Sequence, residues 1–230
     1  MYPNFTSARA SVPNPLPAPV RAVRIGPQQL CGDLTVVPAA LGLVIFAHGS
    51  GSSRLSPRNR QVAGVLHGCR LATLLFDLLT EDEAGDRHNT FDIPLLASRL
   101  AQALAWQREQ PDVGRLAVGL FGASTGAAAA LCAAAAHAAS VAAVVSRGGR
   151  PDLAAGQLAR VRAPTLLIVG ACDTEVLALN RQAQRAMRCK TRLEVVPGAT
   201  HLFAEPGALE TVAHLAGHWF ATHLPVNPSL

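Results

Sequence analysis

The segment Leu116-Ala117-Val118-Gly119-Leu120-Phe121-Gly122-Ala123-Ser124-Thr125-Gly126 constrains this chain more than any other. An apolar run stops at a glycine, a serine framed by two glycines follows, and an alanine-rich stretch continues from it. That order predicts a buried strand, a very tight turn and a helix. Glycines two residues either side of the serine let strand and helix pack closely, with the serine held in a rarely occupied backbone conformation at the tip.

The same alternation runs through the rest of the chain. Residues 20–25 and 34–37 read as strands joined through a Gly-Pro and Cys-Gly-Asp turn region. Residues 43–47 form a continuous apolar run, as expected of a strand covered on both faces, and end at His48-Gly49-Ser50-Gly51-Ser52-Ser53. Ser56-Pro57 supplies an N-cap and a first-turn proline for a helix to about Gly68. A strand over 71–76 ends at Asp77, the polar stretch 81–89 reads as a surface loop, and 93–110 carries helical periodicity. Beyond the alanine helix, strands are predicted over 141–145, 165–169 and 193–196, and helices over 174–187 and 206–222. Strands alternating with helices imply a mostly parallel sheet with helices on both faces. In such sheets functional loops gather beyond the carboxyl ends of the strands. Those ends carry His48, Asp77, Ser124, Arg147, Asp173 and His201.

Composition limits the partners. With 230 residues, half of them hydrophobic and 15% charged, the chain suits one well-buried domain, taken as 20–230, behind a loose proline-rich arm over 1–19. The formal charge of +5 is too modest to argue for nucleic acid, and Arg181, Arg185 and Arg188 on one helix face are explained by solvation. Five scattered cysteines without a Cys-x-x-Cys pair argue against a zinc site and fit reduced thiols, hence a cytoplasmic setting. The apolar stretch 126–145 is as long as a membrane span but divides naturally into a helix and a valine-rich strand, so it reads as interior. The N-terminus lacks the apolar core of a secretory signal.

Gly-x-Ser-x-Gly between strand and helix is the pattern of a nucleophile elbow. Acyl transfer by serine needs a histidine to take the hydroxyl proton and a carboxylate to fix that histidine's tautomer. Ser124, Asp173 and His201 stand in that chain order, each just after a predicted strand. Asp152 and Glu175 are the rival acids, each also explained as an ordinary helix-start residue. An oxyanion hole would use the backbone N–H of Thr125 and one from the loop after the 43–47 strand, for which Ser50 is chosen. That loop fails the dinucleotide and P-loop patterns, so a phosphate cradle fits poorly. His48, Arg54 and Arg147 are possible substrate-binding residues. The two arginines either face the pocket, favouring an anionic substrate, or cap helix ends or pair with Asp77 or Asp152. His214 and His218 lie four apart on a helix, but no third ligand stands out and no metal is expected.

Four motifs carry a family likeness: His48-Gly49-Ser50-Gly51-Ser52-Ser53-Arg54, Phe76-Asp77, Ser146-Arg147-Gly148-Gly149-Arg150-Pro151-Asp152, and Pro197-Gly198-Ala199-Thr200-His201-Leu202-Phe203. From about Leu34 to Phe220 the chain resembles the dienelactone-hydrolase-like group of α/β-hydrolases. The resemblance implies an eight-stranded, mostly parallel sheet with an early antiparallel strand, and hydrolysis of a small ester without a cofactor; the short segment after Val145 argues against a large inserted cap domain. Where dienelactone hydrolases carry a cysteine nucleophile this chain has Ser124, so the resemblance does not fix dienelactone as substrate. Acyl transfer on the same residues, or a binding protein on a hydrolase scaffold, are the alternatives.

Overall fold

The computed structural model describes residues 18–224, so the arm expected over 1–19 lies almost wholly outside the described residues. The strands are β1 (Val20–Ile25), β2 (Leu30–Thr35), β3 (Gly42–Ala47), β4 (Leu71–Phe76), β5 (Val118–Ala123), β6 (Ala143–Arg147), β7 (Thr165–Gly170) and β8 (Thr191–Val196). They form one eight-stranded sheet in the order β1-β2-β4-β3-β5-β6-β7-β8. Only β2 runs against its neighbours, antiparallel to β1 and β4, while the pairs from β4 to β8 are parallel. The expected architecture is the observed one.

Every residue of β3 to β7 is buried, which explains their unbroken apolar runs. Two helices cover one face: α1 (Pro57–Gly68) and α7 (Ala208–His223). They set Val62, Leu66, Val212, Trp219 and Phe220 against Val44, Phe121 and Val145. The other face takes α4 (Ile93–Arg108) and α5 (Thr125–Ala136), with Leu96, Leu100 and Leu104 packed in one core with Leu120 and the α5 alanines. Ten of the twelve α5 residues are buried, because α5 is covered by α4 and by a 3-10 helix over Pro151–Arg160 as well as by the sheet. Side chains larger than a methyl group would push these layers apart. The apolar stretch that mimicked a membrane span is thus α5 followed by β6, and no helix among the described residues is long and apolar enough to cross a membrane.

Three local expectations needed correction. The second strand starts at Leu30, not 34: the turn lies over Gly26 (φ 66°) to Gln29 (φ 53°), and Cys31-Gly32-Asp33 pairs with β1. Within that strand position 32 favours glycine, because a Cβ there would press on Val23 and Phe76. The predicted loop 81–89 is two short helices, α2 (Glu81–Gly85) and α3 (Arg87–Phe91). Thr80 and Glu83 form a capping box on α2, Asp86 caps α3 and Asp92 caps α4, so polar residues read as loop-forming are helix starts. Finally, β6 runs two residues later than predicted and takes Ser146 and Arg147 into the sheet.

Candidate active site

The β5–α5 turn places Ser124 at φ 52° and ψ −119°, a strained conformation for a residue with a side chain. A Cβ on Gly122 would fall onto the backbone of Ala127, and one on Gly126 onto the carbonyl of Ala47. The two glycines are therefore what allows the turn. Its backbone is pinned from the β6 side: the Ser124 N–H donates to the Arg147 carbonyl (3.2 Å), and the Ser124 carbonyl accepts from the Arg150 N–H (3.2 Å).

His201 follows β8 in a loop closed by Glu205, whose Oε1 accepts from the Thr200 N–H (3.1 Å) and hydroxyl (2.6 Å). Asp173 opens α6 (Thr174–Ala186) at the N-cap, yet its side chain caps nothing. It turns instead to His201, with Oδ2 2.6 Å from Nδ1. Nδ1 then donates, leaving Nε2 as an acceptor 3.4 Å from the Ser124 hydroxyl oxygen. That separation is long for a hydrogen bond, as such contacts often are without a ligand. Asp173 is 14% exposed and His201 38%, so the carboxylate is shielded while the imidazole edge meets solvent. The chain thus brings Ser124, His201 and Asp173 together in series. The rival acids are elsewhere: Asp152 is held by both guanidinium nitrogens of Arg150 (2.9 and 2.7 Å), and Glu175 is exposed. His214 and His218 are exposed on α7, and no cluster of metal-ligating side chains occurs among the described residues.

Beside Thr125 opens a cavity of about 300 Å³, walled by the 48–55 loop, by Leu78 and Leu79, and by Ala84, Thr90 and Leu96 from α2, α3 and α4. Ser124 and His201 do not line it; Thr125 is the link between the two. The predicted binding residues behave differently from one another. His48 Nε2 accepts from the Leu78 N–H (3.0 Å), so its proton sits on Nδ1, which faces the Gly49 carbonyl (3.1 Å). Burial pushes its pKa down, keeping the ring neutral. Both nitrogens being occupied, His48 fastens the loop to the end of β4. Arg54 binds Asp77 through its guanidinium (2.5 Å) and its N–H (2.7 Å), with Asp33 at 3.7 Å. Its charge is spent inside the wall, so the pairing alternative holds. The Ser50 N–H donates to the Thr125 hydroxyl oxygen at 2.9 Å, so the chosen oxyanion donor already has a partner.

The Dienelactone hydrolase family matches residues 82–221. The chain belongs to that family. The dienelactone hydrolase of Anabaena variabilis, known from a crystal structure, is 54% identical and superposes with a TM-score of 0.87 over 90% of this chain and 98% of its own. Est1E from Butyrivibrio proteoclasticus shares the fold at 14% identity, with a TM-score of 0.74 over 88% of this chain and 98% of its own. Two Mycobacterium tuberculosis proteins, each bearing the name "Putative phosphoribosyl transferase", are 61% identical over 199 residues. That match takes in 86% of this chain but 45% of each relative, so the chain spans about half their length. Family and neighbours together support a hydrolase.

Within this family member, two features of the site had little signal in the sequence. Asn180 on α6 is fully buried and donates from Nδ2 to the Gly149 carbonyl (2.9 Å), holding the loop that pins Ser124. The Thr125 side chain follows Ser124 directly, but nothing in the motif marks its hydroxyl as a partner for Ser50. Arg147 is buried, 7% exposed, with its guanidinium carbon 5.8 Å from the Phe203 ring centre.

Proposed function

We propose that this chain is a serine hydrolase that cleaves carboxylic esters or thioesters of a small substrate through an acyl-enzyme on Ser124. The observation that carries the reading is the hydrogen-bonded series Ser124 Oγ, His201 Nε2, His201 Nδ1, Asp173 Oδ2, at 3.4 and 2.6 Å. His201 takes the Ser124 proton as the hydroxyl attacks the carbonyl carbon. It returns that proton to the leaving group, then activates water for deacylation. Asp173 holds the imidazole tautomer and stabilises its cation. The tetrahedral oxyanion is met by the Thr125 N–H at the start of α5. The Ser50 N–H acts at second hand: it holds the Thr125 oxygen, and the Thr125 hydroxyl proton, with no acceptor among the described residues, turns to the substrate. The adjacent cavity, with its leucine wall, takes the acyl group. Five unpaired cysteines fit a reducing, cytoplasmic compartment.

A panel of esters and thioesters with Ser124→Ala as control tests the reading. Turnover should fall by about a millionfold, as when the nucleophile of a serine protease is removed. A fluorophosphonate should label Ser124 stoichiometrically. Near-normal turnover by folded Ser124→Ala protein would sink the assignment, and absence of labelling would favour a binding role.

A further inference from the structure

The spacing of Arg181, Arg185 and Arg188 suggests one helix face, but α6 stops at Ala186 and Arg188 lies beyond it. Met187, between them, is extended and buried. It belongs to the same core cluster as Val161, an extended residue in the link from the 3-10 helix to β7. Side chains alternate along extended backbone. An inward Val161 therefore sends Arg160 and Arg162 outward, and an inward Met187 does the same for Arg188. All three arginines are exposed, and all three line one cleft of about 590 Å³ with Ala135, Ala138 and Cys189.

The cleft lies just before β7 and β8 begin, at the amino edge of the parallel sheet. β7 is six residues long, so this edge is about 20 Å from the one that carries Ser124, Asp173 and His201. No acidic side chain lines the cleft. Over residues 113–190 the acidic residues are Asp152, Asp173 and Glu175, and all three follow the carboxyl ends of β6 and β7. Arginine ion pairs among the described residues belong to Arg21, Arg54, Arg60, Arg99, Arg150 and Arg192, not to these three. Helices α5 and α6 end nearby, and the negative end of a helix dipole attracts cations. Yet the one side-chain hydrogen bond these guanidiniums make among the described residues runs from Arg160 to Gln157 Oε1 (2.9 Å), not to a helix carbonyl. Their charge is neither paired nor used as a cap.

We propose that Arg160, Arg162 and Arg188 form a binding site for a small molecule carrying a diphosphate, on the edge of the sheet remote from Ser124. The planar guanidinium fork matches phosphate oxygens in pairs, and three such forks offset the charge of a diphosphate. The sole lysine, Lys190, is drawn instead over the Trp219 ring (5.9 Å to its centre). The cleft has the size of a small-molecule site, which is commonly about 300 to 1,000 Å³. A stable protein partner would need about 800 Å² of surface on this side, and nucleic acid a longer basic track than a net charge of +5 supplies. The site is independent of the hydrolase reading.

The test is isothermal titration of the full chain with inorganic pyrophosphate, with ADP and with succinate, at equal ionic strength in chloride. Pyrophosphate and ADP should bind at one site per chain, and succinate at least about tenfold more weakly, because a carboxylate pair lacks the charge of a diphosphate. Tighter binding of ADP than of pyrophosphate identifies a nucleotide as the source of the diphosphate; equal binding identifies the diphosphate alone. Each of Arg160→Gln, Arg162→Gln and Arg188→Gln should weaken pyrophosphate binding by about fivefold, the worth of one exposed ion pair, and the triple variant should show no binding. All three side chains are exposed, so the variants should keep the wild-type Tm in chloride. The control is Arg181→Gln/Arg185→Gln, which removes two exposed charges of α6 that do not line the cleft, and it should leave the affinity unchanged. Absence of pyrophosphate binding, succinate binding as tight as pyrophosphate, or equal weakening in the control and the triple variant overturns the proposal. Binding of a polyaspartate peptide but not of pyrophosphate also overturns it and assigns the surface to an acidic protein.

Discussion

The carboxyl edge of the sheet has two halves that are built by different means. Over β5 to β8, the candidate site residues stand on backbone pinned by other backbone: Ser124 by Arg147 and Arg150, and the loop before His201 by the Cys172 N–H on the Ala199 carbonyl (2.9 Å). Over β3 and β4, the cavity wall is assembled from side chains: His48 on Leu78, Arg54 on Asp77, and short helices started by Thr80 and Asp86. Backbone fastening tolerates few substitutions but survives changes of pH. Side-chain fastening depends on protonation and charge. The proposed chemistry would therefore stay fixed on one half while the cavity on the other is open to retuning.

The largest effect should come from the pinned half. Asp173→Asn keeps the shape but favours the wrong tautomer of His201, so kcat should fall by about 10⁴-fold with little change in Tm. A loss below about tenfold would show that the carboxylate is not what orients the imidazole. Thr125 joins the halves, and Thr125→Val should lower kcat by about 100-fold with KM nearly unchanged, most of it restored by Thr125→Ser. A Val variant that keeps the wild-type kcat would assign the side chain to packing alone.

The pH dependence of stability probes the side-chain half. Burial holds the pKa of both His48 and His67, which lies at the end of α1 with Nε2 2.8 Å from the Thr73 hydroxyl oxygen of β4, below the ordinary histidine value. The unfolded chain regains that value, so below about pH 6.5 it binds protons that the folded chain does not. The contribution of these histidines is complete above that pH and is lost as pH falls toward their folded values. Tm should therefore drop between about pH 7 and pH 5, and a His48→Gln/His67→Gln double variant should flatten that slope. Smallest of all, Arg54→Met removes a partly exposed ion pair and should cost about 1 kcal/mol or less in urea unfolding. A much larger loss would mean that the 48–55 loop depends on this pair.

The same division decides what could be read from the sequence. Ser124, Asp173 and His201 were legible because each follows a continuous apolar strand and because glycines mark the close approaches. The wall was not. Thr80 and Glu83 are three apart in an acidic stretch, and such a stretch looks like solvated loop until its first turn is seen to be capped. Arg54 and Arg147 were given one shared role because both follow strands. Only the sheet distinguishes them: Arg54 meets Asp77, whereas Arg147 lies inside β6 and forms no ion pair among the described residues. Ser50 was chosen by position in its loop, which carries no information about a hydroxyl seventy-five residues away.

The alanine helix has a practical consequence for anyone mapping this protein by mutation. A saturation scan scored on growth or soluble yield would mark residues 127–135 as forbidden ground almost as strongly as the elbow serine, since nearly every one is enclosed. None of those positions lines the cavity beside Thr125. Dividing activity by the amount of folded protein would erase the alanine stripe from the map and leave Ser124 standing alone at its head.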